Sequence, residues 1–298
     1  VLTQVALPLA LAMMMLVMGL SLRPVHFIAV AREPKLILLG LALQLLLLPA
    51  LALMLVMMLS LPATLAIGLI ILAACPGGAT SNIISHLSGG DASLSVTLTA
   101  LITLLAPLTL PLWVNTQLHW LSLDQLELYL PWLPTLMPLL LVTVLPLLVG
   151  MGLGMVLAAR YPQWLERALP WFNRLSLLLF IILVIAMAVA NSERLPQLWS
   201  QATLVCLGLC VLAMAATALI SRLLRLSERH TLTLMIEVGI QNAGTAMLIS
   251  ATILQRPDLA LVALFYGILM NIPALLLIGR RVLRQPASVV MPSGGSSL

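Results

Sequence analysis

Charge is what this chain has least of. Of its 298 residues, 8% are Asp, Glu, Lys or Arg and 62% are hydrophobic, and the mean hydropathy is +1.17. A soluble domain carries roughly a quarter charged residues. So few charges cannot keep a chain of this length in water, and it reads as an integral membrane protein. Basic stretches interleaved with aromatics are missing too. The 14 Lys and Arg flank hydrophobic runs, so the net charge of +5 signals topology, not a nucleic-acid partner. Cysteine is scarce: Cys75, Cys206 and Cys210 all lie in apolar runs, which excludes a disulfide framework. Cys206 and Cys210 share a helical face, but no His or acid stands near them in sequence, so they read as packing residues. There is no Walker loop, dinucleotide fingerprint or zinc-protease motif, and no nucleophile–base pair. An enzyme is therefore not expected.

What is present is a series of long apolar runs. A helix needs roughly 20 apolar residues to cross a bilayer. Nine runs qualify: 4–22, 36–59, 62–88, 92–114, 133–159, 168–191, 197–222, 230–254 and 258–280. They are continuous and Leu-rich, not alternating, which predicts helices. Residues 4–22 read as a span and not as a signal peptide. The Ser/Gly/Pro-rich 288–298 tail reads as disordered. With the first loop cytoplasmic, Arg23, Arg32, Lys35, Arg160, Arg167, Arg174, Arg222, Arg225, Arg229, Arg280, Arg281 and Arg284 fall inside, and only Arg194 and Arg256 outside. This predicts an outer N-terminus and an inner C-terminus. A loop over 115–130, with Asp124 and Glu127, suits the outer side. Trp120, Trp132, Trp164 and Trp199 read as interfacial anchors, and His26, His86, His119 and His230 as interface residues. Met13, Met14, Met15 and Met18 read as apolar filler, and Gly150 with Gly154 as a close helix contact.

Two runs are interrupted. The third breaks at Cys75-Pro76-Gly77-Gly78-Ala79-Thr80-Ser81-Asn82, the eighth near Gly239 in Glu237-Val238-Gly239-Ile240-Gln241-Asn242. They are five apart in the series, an odd number, so they cross in opposite directions, as inverted transporter repeats require. Two complete repeats would hold ten helices, which leaves one missing, most simply before the first. Pro76 removes a donor and Gly77 and Gly78 free the backbone, so a half-helix can begin near Thr80 with free amides for an anion. The other reading is a kink sealed by neighbouring helices. Glu237 is the one acid deep in an apolar run, and such a residue usually faces a cavity and a partner. Ser95 and Thr99 share a helical face and offer hydroxyl oxygens to a hard cation, or bond back to their own helix. Gln44 either ties helices together or reaches a cation.

At these motifs the chain resembles the bile acid:sodium symporter family. The matching pieces are the Cys75–Asn82 break, Gly90-Asp91-Ala92-Ser93-Leu94-Ser95-Val96-Thr97-Leu98-Thr99, the Glu237–Asn242 break, Met18-Gly19-Leu20-Ser21-Leu22, and Gln44 with Pro49. The resemblance implies an all-α fold with two crossing broken helices. Panel helices would lie at about 4–22, 133–159 and 168–191, and core helices at about 36–114 and 197–280. It implies two sodium ions, one held by Ser81, Asn82, Ser95, Thr99 and Glu237, the other by Gln44, Glu237 and Gln241 with the carbonyls of Val238 and Ile240. It places an organic anion against Ala79, Thr80, Ser81, Asn82, Asn242, Ala243 and Asn271. The order Ala79-Thr80 reverses the usual Thr-Ala of the family, and Met270 stands where a His is common, so substrate preference is expected to differ. The expected function is sodium-coupled symport of a bile acid-like anion or a small carboxylate such as pantoate, in a bacterial cell membrane, by alternating access and without an obligate protein partner. The alternatives are a proton-coupled carrier using Glu237, an efflux carrier of related fold, and a non-transporting sensor.

Overall fold

The computed structural model describes residues 5–22, 33–121, 130, 132–190, 192 and 195–284. Arg23, His26, Arg32, Asp124, Glu127, Arg194 and the 288–298 tail, on which expectations fall, lie outside the described residues. Every element is a helix: α1 (Leu7–Ser21), α2 (Pro34–Leu59), α3 (Ala63–Ala74), α4 (Ala79–Ser88), α5 (Ala92–Trp120), α6 (Trp132–Leu139, continuing through Leu140–Val144 into Leu145–Arg160), α7 (Pro162–Ala190), α8 (Leu195–Leu223), α9 (Glu228–Gly239), α10 (Ala243–Ile253), α11 (Pro257–Leu269) and α12 (Asn271–Arg284). Among the described residues the only β-type pairing outside helices is a bridge between Gly77 and Gln241. Among the described residues five helices are long and apolar enough to cross a membrane: α2, α5, α6, α8 and the α11–α12 run.

Proline decides much of the local geometry. Pro34, Pro162 and Pro257 open their helices, where a missing N–H costs nothing. Inside a helix a proline leaves a carbonyl without its donor. Pro49 follows a wide π-type turn at Leu43–Leu47, and Pro146 follows another at Leu140–Val144. Such turns recur at functional sites, and the first of them carries Gln44.

Two boundaries differ from the sequence expectation. Helix α5 runs to Trp120 instead of giving way to a loop at 115. Two polar side chains in the last turns, Asn115 and Gln117, are held by tertiary bonds. The Asn115 amide donates to the Leu130 carbonyl at 3.0 Å and its Oδ1 accepts from the Leu130 N–H at 2.9 Å, while Gln117 donates to the Pro49 carbonyl at 3.1 Å. Helix α7 begins at Pro162 instead of 168, with its first polar residues exposed.

Helix α1 packs along α6 and against α7, while α2, α3, α5, α8, α9, α10 and α11 pack mainly among themselves. The first group is welded by glycine. A Cβ on Gly19 would strike the Leu147 carbonyl of α6, and one on Gly150 the Leu16 carbonyl of α1; a Cβ on Gly154 would come within 2.6 Å of the Leu20 carbonyl. Lipid tails are as apolar as leucine, so helices in a bilayer are held by such close packing. Gly150→Val is expected to lower the melting temperature of the purified protein clearly. Gly152→Val, whose Cβ meets nothing within 4 Å, is expected to leave it unchanged.

Candidate cation and anion site at the paired helix breaks

The two interruptions meet. Cys75 and Gly78 are extended on one side of the contact and Ile240 on the other. The Gly78 N–H donates to the Ile240 carbonyl at 3.3 Å and the Asn242 N–H to the Pro76 carbonyl at 2.9 Å. Backbone freed from a helix inside a membrane must find partners within the protein. Here each break supplies them to the other. Glycine is needed at the contact, because a Cβ on Gly77 would sit 2.7 Å from Glu237 Oε1.

Glu237, in the last turn of α9, is 1% exposed. Its carboxylate accepts from Ser81 of α4 at 3.0 Å, from Ser95 of α5 at 2.9 Å and from Thr99 of α5 by a short hydrogen bond. Asn82 Oδ1 stands against the same hydroxyls, 2.8 Å from Ser95 and 3.2 Å from Thr99. The Gly78 carbonyl lies 2.6 Å from Ser81 Oγ and the Ser95 carbonyl 3.0 Å from Thr99 Oγ1. A hydroxyl carries one proton. Three protons therefore face five acceptor oxygens: both carboxylate oxygens, Asn82 Oδ1 and two carbonyls. None of the ion pairs among the described residues involves Glu237. A buried carboxylate needs a counter-charge, and this cluster holds a surplus of oxygen instead of one.

A second polar group adjoins it. Gln44, at the wide turn of α2, donates to Gln241 Oε1 at 2.7 Å and to the Cys75 carbonyl at 3.2 Å, so one side chain touches both breaks. Gln241 donates in turn to the Val238 carbonyl at 2.8 Å. The Ile240 carbonyl is used by Gly78. The Glu237 carboxylate points to the hydroxyl cluster and makes no hydrogen bond to Gln44 or Gln241 among those described.

A family model for the sodium bile acid symporter family matches residues 8–198, which include α1, the first break and α5. The chain belongs to that family. It is 28% identical over 239 residues to an uncharacterized sodium-dependent transporter, YocS, of Bacillus subtilis, a match covering 78% of this chain and 70% of that one. It is 32% identical over 227 residues to the human P3 protein, covering 76% of this chain and 46% of the relative. It is 28% identical over 239 residues to the probable sodium/metabolite cotransporter BASS1, chloroplastic, of Arabidopsis thaliana, covering 78% of this chain and 56% of the relative. The chain thus spans about half the length of the human and plant relatives. Two of these three are named for transport and none for an enzymatic reaction.

Two helices, α4 and α10, begin beside the cluster. Ala79 opens α4, followed by half-buried Thr80, whose Oγ1 is 3.2 Å from where a Cβ on Gly78 would be. Asn242 caps α10, its Oδ1 accepting from the Thr245 N–H at 3.0 Å, and its buried Nδ2 has no hydrogen-bond partner. Ala243 is buried against Gly267 of α11. Asn271 is not brought into this set by any described hydrogen bond. Its amide donates back to Gly267 at 2.7 Å and to Ile268 at 3.2 Å.

Two contacts escaped the sequence reading. Tyr266 donates to the Gly239 carbonyl at 2.8 Å, and the Cys210 thiol to the same oxygen at 3.2 Å. A phenol in the middle of an apolar run was the available signal. At one end of α4, Arg281 of α12 donates to the carbonyls of His86 and Leu87 at 2.9 and 3.0 Å. Asp91, which caps α5, pairs with Arg229 at 3.2 Å. Trp120 and Trp164 are exposed.

Proposed function

We propose that this protein is a sodium-coupled symporter of an organic anion, with nine spans, an outer N-terminus and an inner C-terminus. The observation that carries the reading is the buried Glu237 carboxylate in a cluster of five acceptor oxygens and three hydroxyl protons, with no cationic side chain among the described residues paired to it. Sodium takes a compact shell of hydroxyl, amide, carboxylate and carbonyl oxygens, and unwound transporter helices supply such oxygens. A proton on Glu237 would satisfy the charge but would bring the cluster only to four protons for five acceptor oxygens. The names of the Bacillus and Arabidopsis relatives, a sodium-dependent transporter and a sodium/metabolite cotransporter, point the same way.

In this reading the first ion lies among Ser81, Asn82, Ser95, Thr99 and Glu237, and draws α4, α5 and α9 together. The second lies by Gln44, Gln241, Glu237 and the carbonyls of Val238 and Ile240. The anion meets the N-termini of α4 and α10, at Ala79 to Asn82 and at Asn242 and Ala243, with Asn271 turned in when it binds. The unpartnered Asn242 amide is a donor available to it. Helix α1 touches both α4 and α10, so α1, α6 and α7 serve as the panel against which the core rocks to open the site to each side. The substrate is a bile acid-like anion or a small carboxylate such as pantoate, carried across a bacterial cell membrane.

Two sodium ions balance one carboxylate and one monoanion and leave one positive charge to move per cycle. Uptake of the transported monoanion into proteoliposomes is therefore expected to need an inward sodium gradient and to rise when the interior is made negative. Uptake driven equally by potassium, or by a pH gradient without sodium, would overturn the reading, and sodium-dependent uptake indifferent to potential would overturn the two-ion stoichiometry.

A further inference from the structure

The carbonyl of Gly239 is the last of α9, where a helix leaves its carbonyls without intrahelical donors. It faces α8 and α11. There it receives the Tyr266 hydroxyl at 2.8 Å and the Cys210 thiol at 3.2 Å. Both donors are 0% exposed, so water does not stand in for either. The residue must be glycine, because a Cβ would run into the Met214 side chain. Glycine, however, gives the least resistance to a change of backbone torsion. A peptide free to swing at this point would carry with it Ile240 and Gln241, whose backbone pairs with the first break.

We propose that Tyr266, assisted by Cys210, is the positioning residue for the second break: it pins the Gly239 carbonyl to the rear and thereby holds Val238, Ile240 and Gln241 in their ion-binding arrangement. The inference rests on the sodium reading for its consequence but not for its geometry. A thiol is a weak donor, so the phenol carries most of the restraint. Removing its hydroxyl leaves the ring's packing in place and frees one buried carbonyl from its strong donor.

The test is Tyr266→Phe in the full chain with two readouts. In sodium titrations of melting temperature and of uptake, the half-saturating sodium concentration is expected to rise about tenfold, the equivalent of one net buried hydrogen bond, with the maximal uptake rate at saturating sodium retained. In potassium alone, amide exchange of the segment spanning 237–245 is expected to speed up about tenfold, with α2 and α5 unchanged. Cys210→Ser, which keeps a donor, should behave as the wild type, and Tyr266→Phe with Cys210→Ala should exceed the single variant in both readouts. Unchanged exchange in 237–245 would overturn the proposal, as would a lower maximal rate at an unaltered sodium requirement. A wild type that ignores sodium would sink the sodium reading, and the exchange measurement would still decide whether Tyr266 holds the break.

Discussion

Glu237→Gln is expected to abolish sodium-driven uptake, lowering the initial rate at least about 100-fold, while leaving a protein that folds and inserts. Gln has the size of Glu and still accepts hydrogen bonds, so Ser81, Ser95 and Thr99 keep partners around it. What disappears is the one negative charge in the cluster. Leaving one member of a buried ion pair without its partner costs on the order of 3–5 kcal/mol, and about 2.7 kcal/mol already corresponds to 100-fold in an equilibrium constant. The same substitution carries an opposite expectation for stability. Without sodium, the wild type buries a carboxylate whose counter-charge is absent, whereas the variant buries a neutral amide. In potassium chloride Glu237→Gln should therefore melt at the same temperature as the wild type or higher. A variant that fails only because it misfolds would melt lower, and this comparison separates the two causes.

Gly77→Ala should be nearly as damaging, by a different route. The added methyl would lie 2.7 Å from Glu237 Oε1 and 3.3 Å from its carboxyl carbon. Neither side can give easily, since Gly77 is bridged to Gln241 and Glu237 is held by three hydroxyls. Overpacking of this kind typically costs about 1–3 kcal/mol, and relief requires the two breaks to separate. The expected result is a lower melting temperature in potassium together with loss of the sodium response and of uptake. Gly208→Ala and Gly279→Ala, whose Cβ atoms meet nothing within 4 Å, should be indistinguishable from wild type. Sodium-dependent stabilisation surviving in Gly77→Ala would show that the contact between the breaks is not part of the ion site.

Much of this was legible in the residues alone. Apart from the C-terminal end of α5 and the start of α7, the long apolar runs appear as helices within a few residues of their expected ends, since apolar length is a strong signal when few charges interrupt it. Both breaks were visible, one through Pro76 and its two glycines, the other through a carboxylate where the bilayer tolerates few. The hydroxyls were harder to sort. Thr103, Thr109, Thr116 and Thr143 each bond back to a carbonyl four residues earlier in their own helix. Ser95 and Thr99 look no different in sequence. Only the packing of α5 against α4 and α9 turns them to Glu237. The crossing of the breaks was implied only by the family resemblance: it is made by backbone atoms 164 residues apart, between Gly77 and Gln241, and no side-chain periodicity encodes it. Tyr266, beside Phe265 in an apolar run, reads as core in the sequence, and only the fold places it under a carbonyl that lacks a helical donor.

The measurement closest to the central claim is the melting temperature of the purified protein in sodium chloride and in potassium chloride at equal ionic strength, with Glu237→Gln alongside. It needs no knowledge of the substrate, because an ion that binds only the folded state stabilises it. The account predicts that sodium raises the melting temperature of the wild type, that potassium does not, and that the difference vanishes in the variant. Equal melting of the wild type in the two salts, or a sodium response that persists in Glu237→Gln, would contradict it.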